Sequence, residues 1–345
     1  MHLLILGGGV FLGAAVLDAA LARGHRVTVF NRGRARSAWP AGVEAITGDR
    51  VADLARLKGR RWGALIDTCG YVPADVQASS EALRDACDAY LFVSSVSAYA
   101  DTAEPMTAED HPLASAEGIA RSDRDLRHYG PQKAACEAEV VRAFGARALV
   151  VRPGLIVGPG DRSGRFSHWP WRAAAGGTLL VPDVPDDRAL QFIDVRDLAA
   201  WTVHAIEAGA RGAFNASGPV GGATIGWNTL IDICLREAAA AGFTPATPCR
   251  VGEAFLLEHG VQPWSELPLW LPSIDPEYAG FNRDLTRAAA AGLTTRALPE
   301  TIRAVIAEGL PADGDKRRAG KLNRARQAAL IAAWRSHPHR SPASP

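Results

Sequence analysis

Disulfide frameworks, zinc sites, membrane spans and nucleic-acid footprints all lack support in this chain of 345 residues. The five cysteines, Cys69, Cys87, Cys136, Cys234 and Cys249, are odd in number, far apart and without a CxxC pair, so neither a disulfide scaffold nor a metal site is signalled and a reducing compartment is expected. No apolar run reaches the roughly eighteen residues that a membrane helix needs. The formal net charge is +1, which argues against nucleic acid as a main partner, and 48% hydrophobic content describes an ordinary globular chain of one large domain or two. No internal repeat is visible, and the dinucleotide spacing G-x-G-x-x-G is missing.

What is present organises itself around the first thirty-odd residues. His2 to Leu6 is a short apolar run of the kind a buried parallel strand requires, and Gly7, Gly8 and Gly9 end it. From Val10 to Ala22 the apolar residues recur at helical spacing; Gly24 follows as a helix stop, and Arg26 to Phe30 is a second apolar strand. Leu3 to Leu17 could imitate a signal peptide, but it has no charged leading region and carries the glycines in its middle, so a βαβ unit and a cytoplasmic location are expected. Glycines suit such a turn because they let a phosphate approach backbone N–H groups at a helix N-terminus, where the dipole favours an anion.

Further strands are expected at Val43 to Thr47, Ala64 to Asp67, Tyr90 to Val93 and Ala148 to Arg152. Helices are expected from near Val51, at Ala74 to Cys87, at Tyr129 to Ala143 and at Leu198 to Glu207, with Asp101 to His128 a polar loop. This alternation predicts an α/β fold, a doubly wound parallel sheet (Rossmann fold) with a smaller C-terminal substrate-binding lobe. The boundaries read as residues 1–154, with strand and helix returns near 190–216, for the dinucleotide-binding domain, then 155–310 mainly for the lobe, then 311–345. In that last part Lys316 to Trp334 reads as a basic amphipathic helix and His337 to Pro345 as a disordered tail. Ligands of such sheets bind at the carboxyl ends of the strands, where Thr68-Cys69-Gly70-Tyr71 and Ser94-Ser95-Val96-Ser97 lie.

Tyr129 and Lys133, in YGPQK, stand four apart on one helix face. With Ser95 in FVSSVSAY, and with the glycine turn Gly7 to Gly13, they resemble the Ser, Tyr, Lys constellation of the short-chain dehydrogenase/reductase superfamily in its extended, atypical form, the NAD(P)-dependent epimerase/dehydratase family. The turn itself, GGGVFLG, is similar to a branch that reads GGTxFLG, with Val10 where the usual pattern has its middle glycine. RPGLIVGP from Arg152 and FIDVRDLA from Phe192 are similar to two further stretches of extended members, and the likeness covers roughly residues 1 to 310.

The resemblance implies Ser95, Tyr129 and Lys133 as catalytic residues. As cofactor-binding residues it implies Gly7, Gly8, Gly9, Phe11, Leu12, Gly13, Asn31, Arg32, Asp49, Arg50, Thr68, Gly70 and Pro153, together with Tyr129 and Lys133. A phenol with an ordinary pKa near 10 is a poor base at neutral pH, and a neighbouring ammonium favours its ionised form. Ser94 and Ser97 lie beside Ser95, and counting back from Tyr99 favours Ser95. Asp49 is either an adenine-side residue or a helix N-cap. Where NAD enzymes place an acidic residue after the second strand, this chain has Asn31 followed by Arg32, Arg34 and Arg36, which favours NADP unless the arginines are simply a solvated loop.

The activity implied is hydride transfer between a nicotinamide cofactor and a secondary alcohol or ketone, with no metal. Epimerase or dehydratase chemistry on a nucleotide sugar is the alternative, weakened because Leu190 stands where such enzymes carry a pyrophosphate-gripping arginine, Arg188 being out of register. A third reading, a non-catalytic dinucleotide-binding or RNA-associated regulator, is opposed by the intact triad. His111, His128 and His168 sit in loops, and Trp169, Trp171, Trp264 and Trp270 are either an apolar substrate wall or core. Partners are then a small-molecule substrate and, as is common in the family, a second copy through two helices per subunit, with no membrane.

Overall fold

The computed structural model describes residues 1–36, 38–185, 189–222, 224–275, 282–312, 315 and 321–338. The chain divides into two compact units. The first comprises Met1–Ile156, Gln191–Ala223 and Gly280–Thr295, and the second Val157–Leu190, Thr224–Ala279 and Arg296–Pro345.

The first unit is built on a parallel sheet. Its strands are β1 (His2–Leu6), β2 (Arg26–Asn31), β3 (Val43–Thr47), β4 (Ala64–Asp67), β5 (Tyr90–Val93), β6 (Ala148–Pro153) and an edge strand, Gly212–Ala216. Across the sheet the order is Gly212–Ala216, β6, β5, β4, β1, β2, β3, each pair parallel. The chain runs outward from β1 to β3, then returns to β4 on the other side. That reversal opens a crevice at the carboxyl ends of β1 and β4, the place where ligands of such sheets bind. Register fixes the ends, because Leu6 lies opposite both Phe30 and Asp67.

Helices cover both faces, which is why the central strands β1, β4 and β5 are nearly continuous apolar runs rather than alternating. Leu3 and Ile5 of β1 point into one core with Val27, Val29, Leu91 and Val151, against Val16 and Leu17 of α1 (Phe11–Ala22) and Leu198 of the helix Val195–Glu207. Leu4 and Leu6 point the other way, into a core with Leu65, Tyr90 and Phe92, against Val76 of α2 (Pro73–Leu83) and Val140 of α3 (Tyr129–Phe144). At about 25 cal/mol per Å² of apolar surface removed from water, these two layers supply most of the folding drive of the unit.

Two expected elements differ. The segment after Asp49 forms a turn and a short 3₁₀ helix, Leu54–Leu57, in place of a helix from Val51, because only Leu57 of that helix is buried and no periodic apolar face exists to propagate it. Gly212–Ala216 forms a full edge strand that its short GAFNA sequence does not advertise.

The second unit holds the helices His168–Ala174, Trp227–Ala240, Leu298–Ala307 and Arg324–Arg335, and a parallel pair of strands, Thr178–Asp183 with Thr247–Gly252. Trp169 and Trp227 meet edge to face at 5.0 Å, and both are fully buried, as is Trp270. The indole N–H groups of Trp169 and Trp270 donate to Pro268 O at 2.9 Å and Glu253 Oε1 at 2.8 Å. Of the two readings of these tryptophans, core packing is the one that Trp169, Trp171 and Trp270 fulfil. The basic C-terminal helix occupies Arg324–Arg335; most of the expected stretch before it, 316–320, lies outside the described residues, as do Arg188 and tail residues 339–345.

Candidate active site

The glycine turn is shaped by close approach. Gly7 and Gly8 have φ of +110° and +77°, which side-chain-bearing residues rarely adopt. A Cβ on Gly13 would sit 2.7 Å from the Gly8 backbone nitrogen, and one on Gly7 would sit 2.5 Å from Thr68 Oγ1, which itself donates to Leu6 O at 3.0 Å. The start of α1 therefore lies directly on the turn. Its N-cap, Val10, offers no side-chain acceptor and the first turn has no acidic residue, so neither competes for the orphan N–H groups there. Phe11 opens the helix with φ of +44°, a strained value of the kind that clusters at ligand-binding turns. A dinucleotide diphosphate fits such a cradle. Gly13→Ala is accordingly expected to push the start of α1 off the turn and weaken dinucleotide binding by more than tenfold, as measured by quenching of tryptophan fluorescence; unchanged affinity would show that the turn does not carry the diphosphate.

At the end of β2, Asn31 spends its amide on the backbone, donating to Gly7 O at 2.7 Å and accepting from Gly33 N at 2.8 Å. It ties the second strand to the glycine turn. Arg32 and Arg34 are exposed beside it, and the Arg36 guanidinium lies 5.5 Å from the Trp39 ring centre. Asp49 accepts from the backbone of Val51 at 2.9 Å and Ala52 at 3.4 Å, and these bonds hold its carboxyl below the usual range. Arg50 turns inward. Its guanidinium forks onto Asp67 at 3.0 and 2.7 Å and reaches Ser79 Oγ at 2.7 Å, so the donors expected at the cofactor are engaged beneath β4.

The helix that carries Tyr129 and Lys133 and the turn that Ser95 caps meet at one close contact. A Cβ on Gly130 would sit 2.2 Å from Ser97 O, so the first turn of α3 rests on the 3₁₀ turn Val96–Ala98 that follows β5. Ser95 caps that turn, its hydroxyl accepting from Ser97 N at 3.1 Å, and a hydroxyl that accepts still has its own proton to donate. Ser94 is used elsewhere, donating to Glu137 Oε1 at 2.5 Å, which supports Ser95 as the substrate-facing serine. Tyr129 is half-buried at the helix start.

Lys133 is buried. Its ammonium donates to Gly70 O at 2.8 Å and Val93 O at 2.7 Å, and lies 4.8, 5.2 and 5.9 Å from the ring centres of Phe92, Tyr71 and Tyr129. Burial lowers its pKa from 10.5 to about 8. The native state therefore holds one proton fewer than the unfolded chain between those values. Burying the ammonium costs stability below pH 8, and this cost is relieved as pH rises through the window.

Two contributors escaped the sequence reading, and a third, Tyr71, was read only as part of a strand-end cluster. Tyr71 is half exposed and faces the same ammonium. Glu137 forks with Arg152 at 2.8 to 3.2 Å, and Arg152 also reaches Tyr99 OH at 3.0 Å, all buried. Asp67 anchors Arg50. Glu137 was signalled by its spacing, four residues beyond Lys133 on the same helix face; the other two depend on contacts distant in sequence. The loop histidines are satisfied locally, His111 through Ala108 N at 3.2 Å and His128 through Asp123 at 2.5 Å.

The sheet crevice, the glycine cradle and the polar cluster together define an NAD(P)-dependent oxidoreductase or epimerase. A model of the NAD dependent epimerase/dehydratase family matches residues 3–217, and the chain belongs to that family. A 2-alkyl-3-oxoalkanoate reductase of Stenotrophomonas maltophilia is 31% identical over 228 residues, 62% of this chain and 67% of that protein. Among solved structures, UDP-N-acetylglucosamine 4-epimerase from Bacillus cereus superposes with a TM-score of 0.63 at 15% identity, covering 91% of this chain and 98% of its own. The Bordetella bronchiseptica enzyme WbmH, in complex with NAD+, gives 0.62 at 18% identity over 89% and 97%. At these identities the two structures share the fold.

Proposed function

We propose that this protein is an NADP-dependent oxidoreductase that interconverts a ketone and a secondary alcohol through Ser95, Tyr129 and Lys133. The observation that carries the reading is the seating of the YGPQK helix start on the turn after β5, within the crevice that the glycine cradle opens. The nicotinamide supplies or accepts the hydride when bound. In the direction of reduction, the Tyr129 hydroxyl gives its proton to the substrate oxygen and the Ser95 hydroxyl donates to the same atom. Lys133, held by Gly70 and Val93, stabilises the phenolate left behind by opposite charge. Gly7, Gly8, Gly9, Phe11, Leu12 and Gly13 form the diphosphate cradle. Thr68 supports it from the end of β4 through its bond to Leu6 O, and Gly70, Asp49 and Pro153 are the further cofactor-binding residues of this reading.

NADP over NAD is supported by the end of β2, where Asn31 stands in place of an acidic residue and exposed Arg32 can fork onto a 2′-phosphate. Arg32→Ala is expected to weaken NADPH about 10- to 100-fold, the worth of a charge-assisted contact, with NADH affinity unchanged. Equal NADPH affinity in the variant, or tighter NADH binding in the parent, would reverse the assignment.

Two findings favour ketone reduction over nucleotide-sugar chemistry. The reductase relative acts, by its name, on a 3-oxoalkanoate. Leu190, where nucleotide-sugar enzymes resembling this chain carry an arginine, is buried, with its N–H bonded to Ile225 O at 2.6 Å. A screen of 3-oxo acids and other ketones for NADPH consumption tests this directly. Turnover of UDP-sugars with no net change in cofactor would favour the epimerase instead.

A further inference from the structure

Beneath the candidate active site lies a buried ion pair that the chemistry above does not use. Asp67, at the end of β4, is fully buried and saturated with donors. It receives Arg50 at 3.0 and 2.7 Å, Tyr90 OH at 2.7 Å and Cys69 N at 3.0 Å. Arg50 is fixed in turn by Ser79 Oγ at 2.7 Å, and Ser79 bonds back to the α2 carbonyls of Asp75 and Val76, each at 3.1 Å. The bond from Cys69 N shapes the turn whose next residue, Gly70, presents its carbonyl to Lys133 at 2.8 Å. That turn cannot relax, because a Cβ on Gly70 would lie 2.6 Å from Phe92 and 2.7 Å from Val76.

We propose that Arg50 and Asp67 act as a positioning pair for Lys133: Asp67 fixes the Cys69–Gly70 turn that takes up the ammonium, Arg50 fixes Asp67, and their opposite charges set the field in which Lys133 ionises. This rests on the reading of Lys133 as the active-site lysine. It gives Arg50 a role inside the protein, acting through Asp67 and Gly70, in place of direct contact with the cofactor.

The groups that face Lys133 are few. From its own helix come Tyr129 and Cys136, from the end of β4 come Asp67, Cys69 and Tyr71, and from the turn after β3 comes Arg50. Burial pushes the Cys69 and Cys136 thiols up to about 11 and 12, and the Tyr71 phenol is raised to about 12, so all three stay neutral where Lys133 titrates. Burial also pushes the Asp67 carboxyl up, but the Arg50 guanidinium and the donors around it reverse this and hold it ionised. Asp67 therefore favours the ammonium and Arg50 opposes it.

The two partners consequently make opposite predictions. With only Lys58, Lys133, Lys316 and Lys321 in the chain, ¹³C-lysine labelling gives four Cε signals, and Lys133 is identified by eliminating the other three through Lys→Arg variants. Following that signal against pH, Asp67→Asn is expected to lower the Lys133 midpoint by about one unit, and Arg50→Met to raise it by a similar amount, the size of a neighbouring charge. Arg50→Lys, which keeps the charge, should leave it near that of the parent. If both Asp67→Asn and Arg50→Met move the midpoint up toward the ordinary lysine value, water has simply entered a loosened core and the pairing is refuted. No movement in either variant refutes it as well. The readout needs no turnover, so it is separable from the activity reading: opposite shifts in a protein whose Tyr129→Phe variant retains full activity would uphold the pair and sink the catalytic assignment.

Discussion

Tyr129→Phe is expected to lower kcat by about 10²- to 10⁴-fold, the usual contribution of a positioned acid/base, with dinucleotide affinity within threefold of the parent. The expectation follows from what the substitution leaves in place. The ring and its packing against the start of α3 persist, Lys133 retains its bonds to Gly70 and Val93, and Ser95 retains its cap. The hydroxyl is lost, and with it the exchangeable proton. Steady-state assays with NADPH and a ketone substrate give kcat, and fluorescence titration gives the affinity. A rate within threefold of the parent would remove Tyr129 from the chemistry. A matched loss of affinity and rate would instead make it a cofactor-positioning group. The pH profile of the parent adds a second reading: activity should fall above about pH 8, as Lys133 loses its proton and the phenolate loses its counter-charge.

The second large effect concerns stability. Glu137→Leu is expected to cost about 3–5 kcal/mol, the range for stranding one member of a buried pair. Arg152 would keep Tyr99 OH and the Glu109 carbonyl but lose both arms of its fork, and Ser94 would lose its acceptor. Replacing both partners, Glu137→Leu with Arg152→Met, should recover much of the loss, because an apolar pair in the same volume carries no uncompensated charge. Urea midpoints measure both. A single variant no worse than a surface substitution, within about 0.5 kcal/mol, would mean that the network is not a structural element. Because Ser94 precedes Ser95, a fall in kcat of the surviving single variant is expected to accompany the loss in midpoint.

Most of the first unit was legible in the sequence because its signals are local. Short apolar runs ending in glycine or serine clusters marked six strands, and Gly24, expected as a helix stop, donates from its N–H to Leu21 O at 2.9 Å just past α1. The edge strand Gly212–Ala216 lies within the returns expected near 190–216 but was not delimited there, because Phe214 is its one large apolar residue; its Asn215 is held by tertiary partners, Tyr99 OH at 2.7 Å and Thr107 O at 2.9 Å. Ser95, Tyr129 and Lys133 entered through the family resemblance of FVSSVSAY and YGPQK, whereas nothing in the sequence spoke for the inward course of Arg50. A sequence places it beside Asp49, at the cofactor end of β3. Only the packing of α2 against β4 brings Ser79 and Asp67, 29 and 17 positions away, within reach of its guanidinium.

The discontinuity of the first unit also has a bearing on how the protein is made. Residues Gln191–Ala223 supply both its edge strand and the helix Val195–Glu207 that shields Leu3, Ile5, Val27 and Val29. During vectorial synthesis at about 5–20 residues per second, that sheet face is covered by α1 alone for some ten to forty seconds after β1 leaves the ribosome. Nascent chains halted short of residue 207 therefore carry a half-shielded oily layer, a natural substrate for chaperones that bind emerging polypeptides.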